Sequence, residues 1–244
     1  MDISIIITSF NYASYIEESI ESCLSQAQNS LQYEVIVIDD GSTDDTQLIL
    51  EKINSKLLRK FKIKNSGIEV ASNFGFSKAL GKYIVRVDAD DKLLTNYLQC
   101  IYRNLNNNCH FYYSDYQVIN SHGKIIGNMK LPRFELTEIR ERGDFLATGT
   151  LYSAEVLKNF SYYSVMLKNS GLENYDLILR LLEAGILGKH IPEELFCYRR
   201  HNLNLSVSKE EQIIKNGNDL FRKMGLGIYR TNKNHPYNPN KGLT

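Results

Sequence analysis

Short apolar runs that each stop in a polar loop constrain this chain more than any other feature. Residues 3–7, 34–38 and 83–87 are runs of strand length, rich in β-branched side chains, and helical patterns lie between them. Residues 61–64 offer a further short strand. Repeated strand–helix units predict an α/β fold with a Rossmann-like, mostly parallel, doubly wound sheet. In such sheets ligands bind beyond the carboxyl ends of the strands. Thr8-Ser9-Phe10-Asn11, Asp39-Asp40-Gly41 and Asp88-Ala89-Asp90-Asp91 all fall at those ends.

The last of these loops carries three carboxylates with only Ala89 among them. Carboxylates a few Å apart in a cleft repel by several kcal/mol at low effective dielectric. A hard divalent cation that prefers oxygen ligands, Mg²⁺ or Mn²⁺, would relieve that repulsion and bridge to phosphate oxygens. The competing reading is a solvated acidic turn. Length and charge narrow the partners: 244 residues fit one large α/β domain, and 29 basic against 28 acidic residues imply no general attraction to nucleic acid or membrane surfaces. Cys23, Cys100, Cys109 and Cys197 are scattered, which suits reduced thiols in a cytoplasmic protein. The N-terminus lacks the basic region of a signal peptide, and no apolar run approaches the ~20 residues that span a bilayer.

The helices are expected as follows. Ser14 with Glu17 and Ser42 with Asp45 read as capping boxes, the first before Ile16, Ile20 and Leu24, the second before Ile49 and Ile53. Asn29 and Ser30 break the first helix. Residues 69–80 form a third helix that Gly81 closes as a left-handed residue. Leu94, Leu98, Ile101 and Leu105 mark a fourth, and residues 110–114 a strand. Residues 117–119 and 124–126 flank a hairpin turn. Residues 129–148 read as a long loop able to cover the cleft, and residues 154–160 as a short helix. Gly171 to Asp176 precede a helix that Gly185 ends, with Asp176 and Arg180 an i,i+4 pair. Cys197 to His201 follow a strand ending at Phe196. Residues 210–224 form an amphipathic helix, with Ile214, Phe221 and Met224 aligned, that packs on its own domain; the tail from Thr231 is expected to be mobile.

Taken as an ordered set, Ser4 to Asn11, Val35 to Ser42, Asn73 to Gly81 and Val87 to Asp91 resemble the family-two glycosyltransferases of the GT-A fold. The resemblance covers residues 1–205, with a nucleotide-binding half at 1–91 and an acceptor half at 92–205, followed by a helix at 206–230 and the tail at 231–244. It implies a nucleotide-sugar donor, usually linked to uridine or another nucleoside diphosphate, a divalent metal (Mn²⁺ or Mg²⁺), and inversion at the anomeric carbon. It implies an acceptor that is a glycan or a lipid-linked sugar, the latter at the inner face of a membrane, and no nucleic acid. Oligomeric state is left open.

Residue by residue, the resemblance places Thr8, Phe10, Asn11, Asp39, Gly67, Asn73, Asp88 and Ala89 at the nucleotide, and Asp90 with Asp88 at the metal. His201, after Tyr198-Arg199-Arg200, is a candidate third metal ligand, its alternative being a structural histidine. An inverting transfer needs a base for the acceptor hydroxyl. The family carries a Glu-Asp-x-Asp pattern there, and this chain reads Glu173-Asn174-Tyr175-Asp176. Asn174 stands where the base is usually assigned, and an amide cannot take that proton. Either Glu173 or Asp176 is the base, with Glu173 favoured, or Asn174 marks a weak or inactive nucleotide-sugar-binding subunit. Ser72 is a second departure, standing where many relatives carry arginine.

Overall fold

The computed structural model describes residues 1–27, 31–106, 108–143, 146, 148–167, 169–202, 204–230, 232, 234 and 235. The expected helix break at Asn29 and Ser30 and most of the tail from Thr231 lie outside the described residues.

The first half alternates strand and helix as its periodicity requires. Strands β1 (Ile3–Ser9), β2 (Tyr33–Asp39), β3 (Leu58–Lys62) and β4 (Tyr83–Asp88) are separated by helices α1 (Ile16–Leu24), α2 (Thr46–Lys52) and α3 (Ile68–Lys78). The strands pair in parallel in the order β3-β2-β1-β4. Ile5, Ile7, Val35, Val37, Val85 and Val87 pack on one face with Ile16, Ile20 and Cys23 of α1. Ile6, Ile36, Ile38 and Ile84 pack on the other with Ala71 and Phe76 of α3. Both faces are covered, so the strands read as continuous apolar runs rather than alternating ones. Each such side chain contributes about 1.5–3 kcal/mol by leaving water.

Several local expectations change. Gly81 is not among the left-handed glycines, and α3 stops earlier, at Lys78. Gly81 is needed for clearance instead: a Cβ there would lie 2.5 Å from the Ser4 backbone nitrogen. Neither capping box forms. α1 is entered by a backbone turn, with the Tyr15 and Ile16 N–H groups donating to the Tyr12 carbonyl. Ser42 Oγ is taken by the Asn11 N–H, so the Thr46 N–H at the start of α2 finds Asp44 Oδ1 at 3.0 Å. β3 begins at Leu58, earlier than the apolar run suggests, because it pairs with Val35 along an edge.

The second half is mixed. It contains β5 (Lys92–Leu93), α4 (Tyr97–Asn104), β6 (Phe111–Asn120), β7 (Ile125–Met129), α5 (Leu136–Arg142), β8 (Leu151–Ser153), α6 (Ala154–Asn159), α7 (Glu173–Glu183), β9 (Gly188–Arg200), α8 (Leu205–Ser208) and α9 (Glu210–Met224). The sheet continues from β4 through β8, β6 and β9 to β5, with β7 on β6 as the expected hairpin. β6 and β9 run parallel, while β8, β7 and β5 pair antiparallel. The segment read as a long loop holds α5, anchored by the buried Ile139. Cys197 to Arg200 belong to β9 rather than following it, and Glu173 to Asp176 form the first turn of α7 rather than preceding it. α9 has the expected bounds and packs on its own domain, though Ile213 rather than Ile214 leads the buried face that meets Leu172, Tyr175 and Leu179. Among the described residues no helix is long and apolar enough to cross a membrane.

Candidate active site

Register brings the strand ends together. β1 lies between β2 and β4, with Thr8 opposite both Ile38 and Asp88, and Ser9 opposite Asp39. The chain builds outward from β1 to β3 and then crosses back to β4, so β1 and β4 flank the point where strand order reverses. Two adjoining cavities open there. One of about 440 Å³ is lined by Thr8, Phe10, Asn11, Tyr15, Gly67 and His201, among others. The other, about 380 Å³, is lined by Thr8, Arg86, Asp88, Ala89, Asp90, Glu173 and Asn174, with further residues. Thr8, Tyr12, Ile68 and Leu205 belong to both, so the cavities form one divided cleft.

The nucleotide-side residues divide by what they do. Phe10 is 42 % exposed at the cavity mouth, a ring open to stacking. Thr8 Oγ1 is buried with no hydrogen-bond partner. Asn11 sits at φ 60°, a left-handed conformation that asparagine tolerates, and ties the loop by accepting the Thr43 N–H on Oδ1 at 2.8 Å. Gly67 has φ 96° at the entry to α3. Asp39 is fully buried and lines neither cavity; its Oδ1 accepts the Ser42 N–H at 2.8 Å, and its Oδ2 lies 3.9 Å from Lys62 Nζ. Asp40 accepts from the Ser66 and Gly67 N–H groups, one on each oxygen, at 2.8 and 2.9 Å. Asn73 also lies outside both cavities, exchanging hydrogen bonds with the backbone of Tyr163 at 2.8 and 3.0 Å.

The acids after β4 are less fully partnered. Asp88 Oδ2 accepts from Thr148 Oγ1 at 2.9 Å. Its Oδ1 is 3.1 Å from Arg86 Nη2, an ion pair whose angles make no hydrogen bond. Asp90 Oδ2 meets His201 Nε2 at 2.9 Å and Asn204 Nδ2 at 3.1 Å. Burial, and then the charge of Asp88, push the Asp90 carboxyl above the usual carboxylate range, against the pull of His201. Asp91 is 1 % exposed and serves as a strut, accepting the Arg199 N–H at 2.8 Å.

These residues fit a cation in part. Among the described residues no group of three or more His, Cys, Asp and Glu side chains is arranged to hold a metal ion. His201, the candidate third ligand, is instead hydrogen-bonded to Asp90 and stacked on Tyr15 with ring centroids 5.0 Å apart. A Mg²⁺-like ion, however, needs only one or two protein carboxylates, with waters and substrate phosphates completing its shell. The Asp88 Oδ1 without a hydrogen bond and the adjacent, buried Asp90, which Asp88 repels, supply that donor set.

Across the cleft, Glu173 Oε1 receives Arg86 Nη1 at 2.7 Å, and Oε2 is buried without a hydrogen bond. Asn174 is held on both polar atoms: Oδ1 accepts from the Tyr152 and Tyr163 hydroxyls at 2.6 and 3.3 Å, and Nδ2 donates to the Leu146 carbonyl. Asp176 lines neither cavity and pairs with Arg180 at 2.9 Å. Reasoning from sequence missed Arg86, Thr148 and Asn204. Arg86 had a signal, a charge inside an apolar strand run; Thr148 and Asn204 reach the acids only through the fold.

The model of Glycosyl transferase family 2 matches residues 4–162, well over half of the chain. This chain belongs to glycosyltransferase family 2. Curated relatives include a chondroitin synthase of Escherichia coli, 31 % identical over 93 % of this chain but 34 % of its own length. A hyaluronan synthase of Pasteurella multocida is 31 % identical over 85 % of this chain and 21 % of its own length. The chain therefore spans about a third of the first relative's length and about a fifth of the second's. It spans 87 % of the Escherichia coli UDP-Glc:alpha-D-GlcNAc-diphosphoundecaprenol beta-1,3-glucosyltransferase WfaP, at 29 % identity over 92 % of this chain. Among solved structures, S. aureus TarS 1-349 in complex with UDP-GlcNAc superposes with a TM-score of 0.73 at 19 % identity, covering 93 % of this chain and 67 % of that one. The mannosyltransferase PcManGT of Pyrobaculum calidifontis, in complex with GDP-Man and Mn2+, gives 0.71 at 15 % identity, covering 92 % and 64 %. These likenesses show the GT-A fold expected from the motifs.

Proposed function

We propose that this chain transfers a sugar from a nucleoside-diphosphate sugar to an acceptor hydroxyl with inversion, Asp88 and Asp90 holding a divalent cation at the donor diphosphate. The observation that carries this reading is the pair of acids on the β4 edge of the cleft, Asp88 half-buried and Asp90 buried, with Asp88 Oδ1 lacking a hydrogen bond. The larger cavity suits the nucleoside, with Phe10 and Tyr15 at its wall. The nucleotide complexes of TarS and PcManGT support a donor of this class. A bound Mg²⁺ or Mn²⁺ would offset charge on the leaving diphosphate. The acceptor oxygen attacks the anomeric carbon, the bond from that carbon to the diphosphate breaks, and the acceptor proton passes to Glu173, which lines the smaller cavity and keeps Oε2 without a hydrogen bond. A glycan or a lipid-linked sugar is the acceptor class, in line with the names of the synthases and of WfaP.

A second reading, a catalytically weak nucleotide-sugar-binding subunit, is favoured by one observation: an amide stands at Asn174, its oxygen held by two tyrosine hydroxyls. The first test is a thermal-shift panel of UDP, GDP and their sugars with and without Mn²⁺. Stabilisation by one nucleoside diphosphate that requires Mn²⁺ supports the proposal. Stabilisation by none of them, with or without the cation, refutes it.

A further inference from the structure

Arg86 is a side chain that the apolar pattern of β4 does not explain. Its neighbours along β4, Ile84, Val85 and Val87, are apolar and buried, and Arg86 itself is only 7 % exposed. Removing a guanidinium from water costs several kcal/mol, and an apolar side chain at such a site is often at least as stable. The two ends of its fork go to different acids. Nη1 reaches Glu173 Oε1 at 2.7 Å, and Nη2 lies 3.1 Å from Asp88 Oδ1. The ring of Tyr163 backs the guanidinium, 5.5 Å from its carbon to the centroid, and limits where the fork can turn. All three charged groups line the smaller cavity. Glu173 comes from α7 and Asp88 from β4, so one planar cation joins an acid of each half of the fold.

We propose that Arg86 is a positioning residue that couples the cation site to the acceptor side of the cleft: one buried guanidinium shared by Asp88 and Glu173 makes cation binding at Asp88 and the placement of Glu173 interdependent. The inference rests on the proposed function, since it takes Asp88 as a cation ligand and Glu173 as the acceptor-side acid. The physical reason is competition. The guanidinium and a divalent cation both seek Asp88 Oδ1, and Glu173 draws the guanidinium away from it. When Glu173 loses its charge, Arg86 falls wholly to Asp88 and opposes the cation. By reciprocity, a cation on Asp88 shifts the guanidinium toward Glu173 and fixes Oε1, leaving Oε2 to the acceptor.

The test needs neither donor nor acceptor. Mn²⁺ alone is titrated into the full metal-free chain and followed by electron paramagnetic resonance, for the unaltered protein, Arg86→Met, Glu173→Gln and the double variant, with circular dichroism as the check on folding. Glu173→Gln, which alters no cation ligand, is expected to weaken Mn²⁺ about tenfold, and in the Arg86→Met background about threefold or less, while Arg86→Met alone tightens binding. If Arg86→Met does not fold, Arg86→Lys carries the same cycle: lysine keeps the charge but has no fork to join both acids, so the Glu173→Gln penalty again shrinks. A Glu173→Gln penalty of equal size with and without Arg86, or no penalty at all, overturns the coupling. Failure of the unaltered chain to bind Mn²⁺ overturns instead the cation reading beneath it.

Discussion

The acidic loops after β2 and β4 look alike in sequence and do different work. Asp40 spends both oxygens on main-chain N–H groups of Ser66 and Gly67, and Asp39 spends one on Ser42. These acids staple the loops between β2 and α3. Asp40 also lines the larger cavity, but Asp88 and Asp90, at the smaller one, receive side-chain rather than main-chain donors and repel each other. Asp39 also keeps Oδ2 without a hydrogen bond, but it lies outside both cavities, 3.9 Å from Lys62 Nζ; Asp88 keeps such an oxygen while lining the cleft, which suits the proposed cation. The contrast runs in opposite directions for stability and binding, which makes it open to experiment.

Asp40→Ala should give the largest loss of stability. It leaves two loop N–H groups without their charged acceptor, and about 2–4 kcal/mol is expected in urea denaturation, with Mn²⁺ affinity unchanged. A loss of Mn²⁺ binding in that variant would erase the distinction between the loops. Asn174→Asp tests the far side of the cleft. It sets a carboxylate oxygen against the Leu146 carbonyl in place of a donor, so it should destabilise by about 1–3 kcal/mol and give no gain in sugar transfer. A large gain from near zero would favour the weak-subunit reading.

The burial of Asp90, with repulsion from Asp88, also predicts a pH dependence. Asp90 is raised from 3.8 to about 6, so between these values the folded chain holds a proton that the unfolded chain has released. The contribution is therefore fully present below the unfolded value and is lost as pH rises through the folded one. Asp91 acts in the same direction, chiefly through burial. The melting temperature of the metal-free protein should fall across this window less steeply in Asp90→Asn; an unchanged slope would remove Asp90 as the cause. The smallest effect belongs to Asp176→Ala, which loses one helix pair while Arg180 keeps the Phe160 and Tyr162 carbonyls. About 0.5 kcal/mol is expected in denaturation, with unchanged UDP affinity; a collapse of UDP binding would return Asp176 to the active site.

The same division explains what the sequence made legible. The first half is built from strands buried on both faces, so its apolar runs announce themselves and its loops fall at one edge. β5 and β8 have two and three residues, too short to show any period. β9 is broken by register shifts opposite Ser114 to Tyr116, which hides its length. Asp88 and Asp90 were readable because charge follows an apolar run. Asn174 was readable as a departure, but its three partners come from β8, from the segment before α7 and from the loop after α5. Asp39 and Asn73 carry family-like motifs yet turn to the scaffold here, a choice made by backbone donors that no local pattern displays.

The central claim is that Asp88 and Asp90 hold a nucleoside diphosphate through a cation. Calorimetric titration of UDP and of GDP into the protein, with and without Mn²⁺, alongside Asp90→Asn, tests it most directly. The expected result is Mn²⁺-dependent binding of one of the two, weakened about 100-fold or more by the substitution. Equal affinity without Mn²⁺, or undiminished affinity in Asp90→Asn, would contradict it.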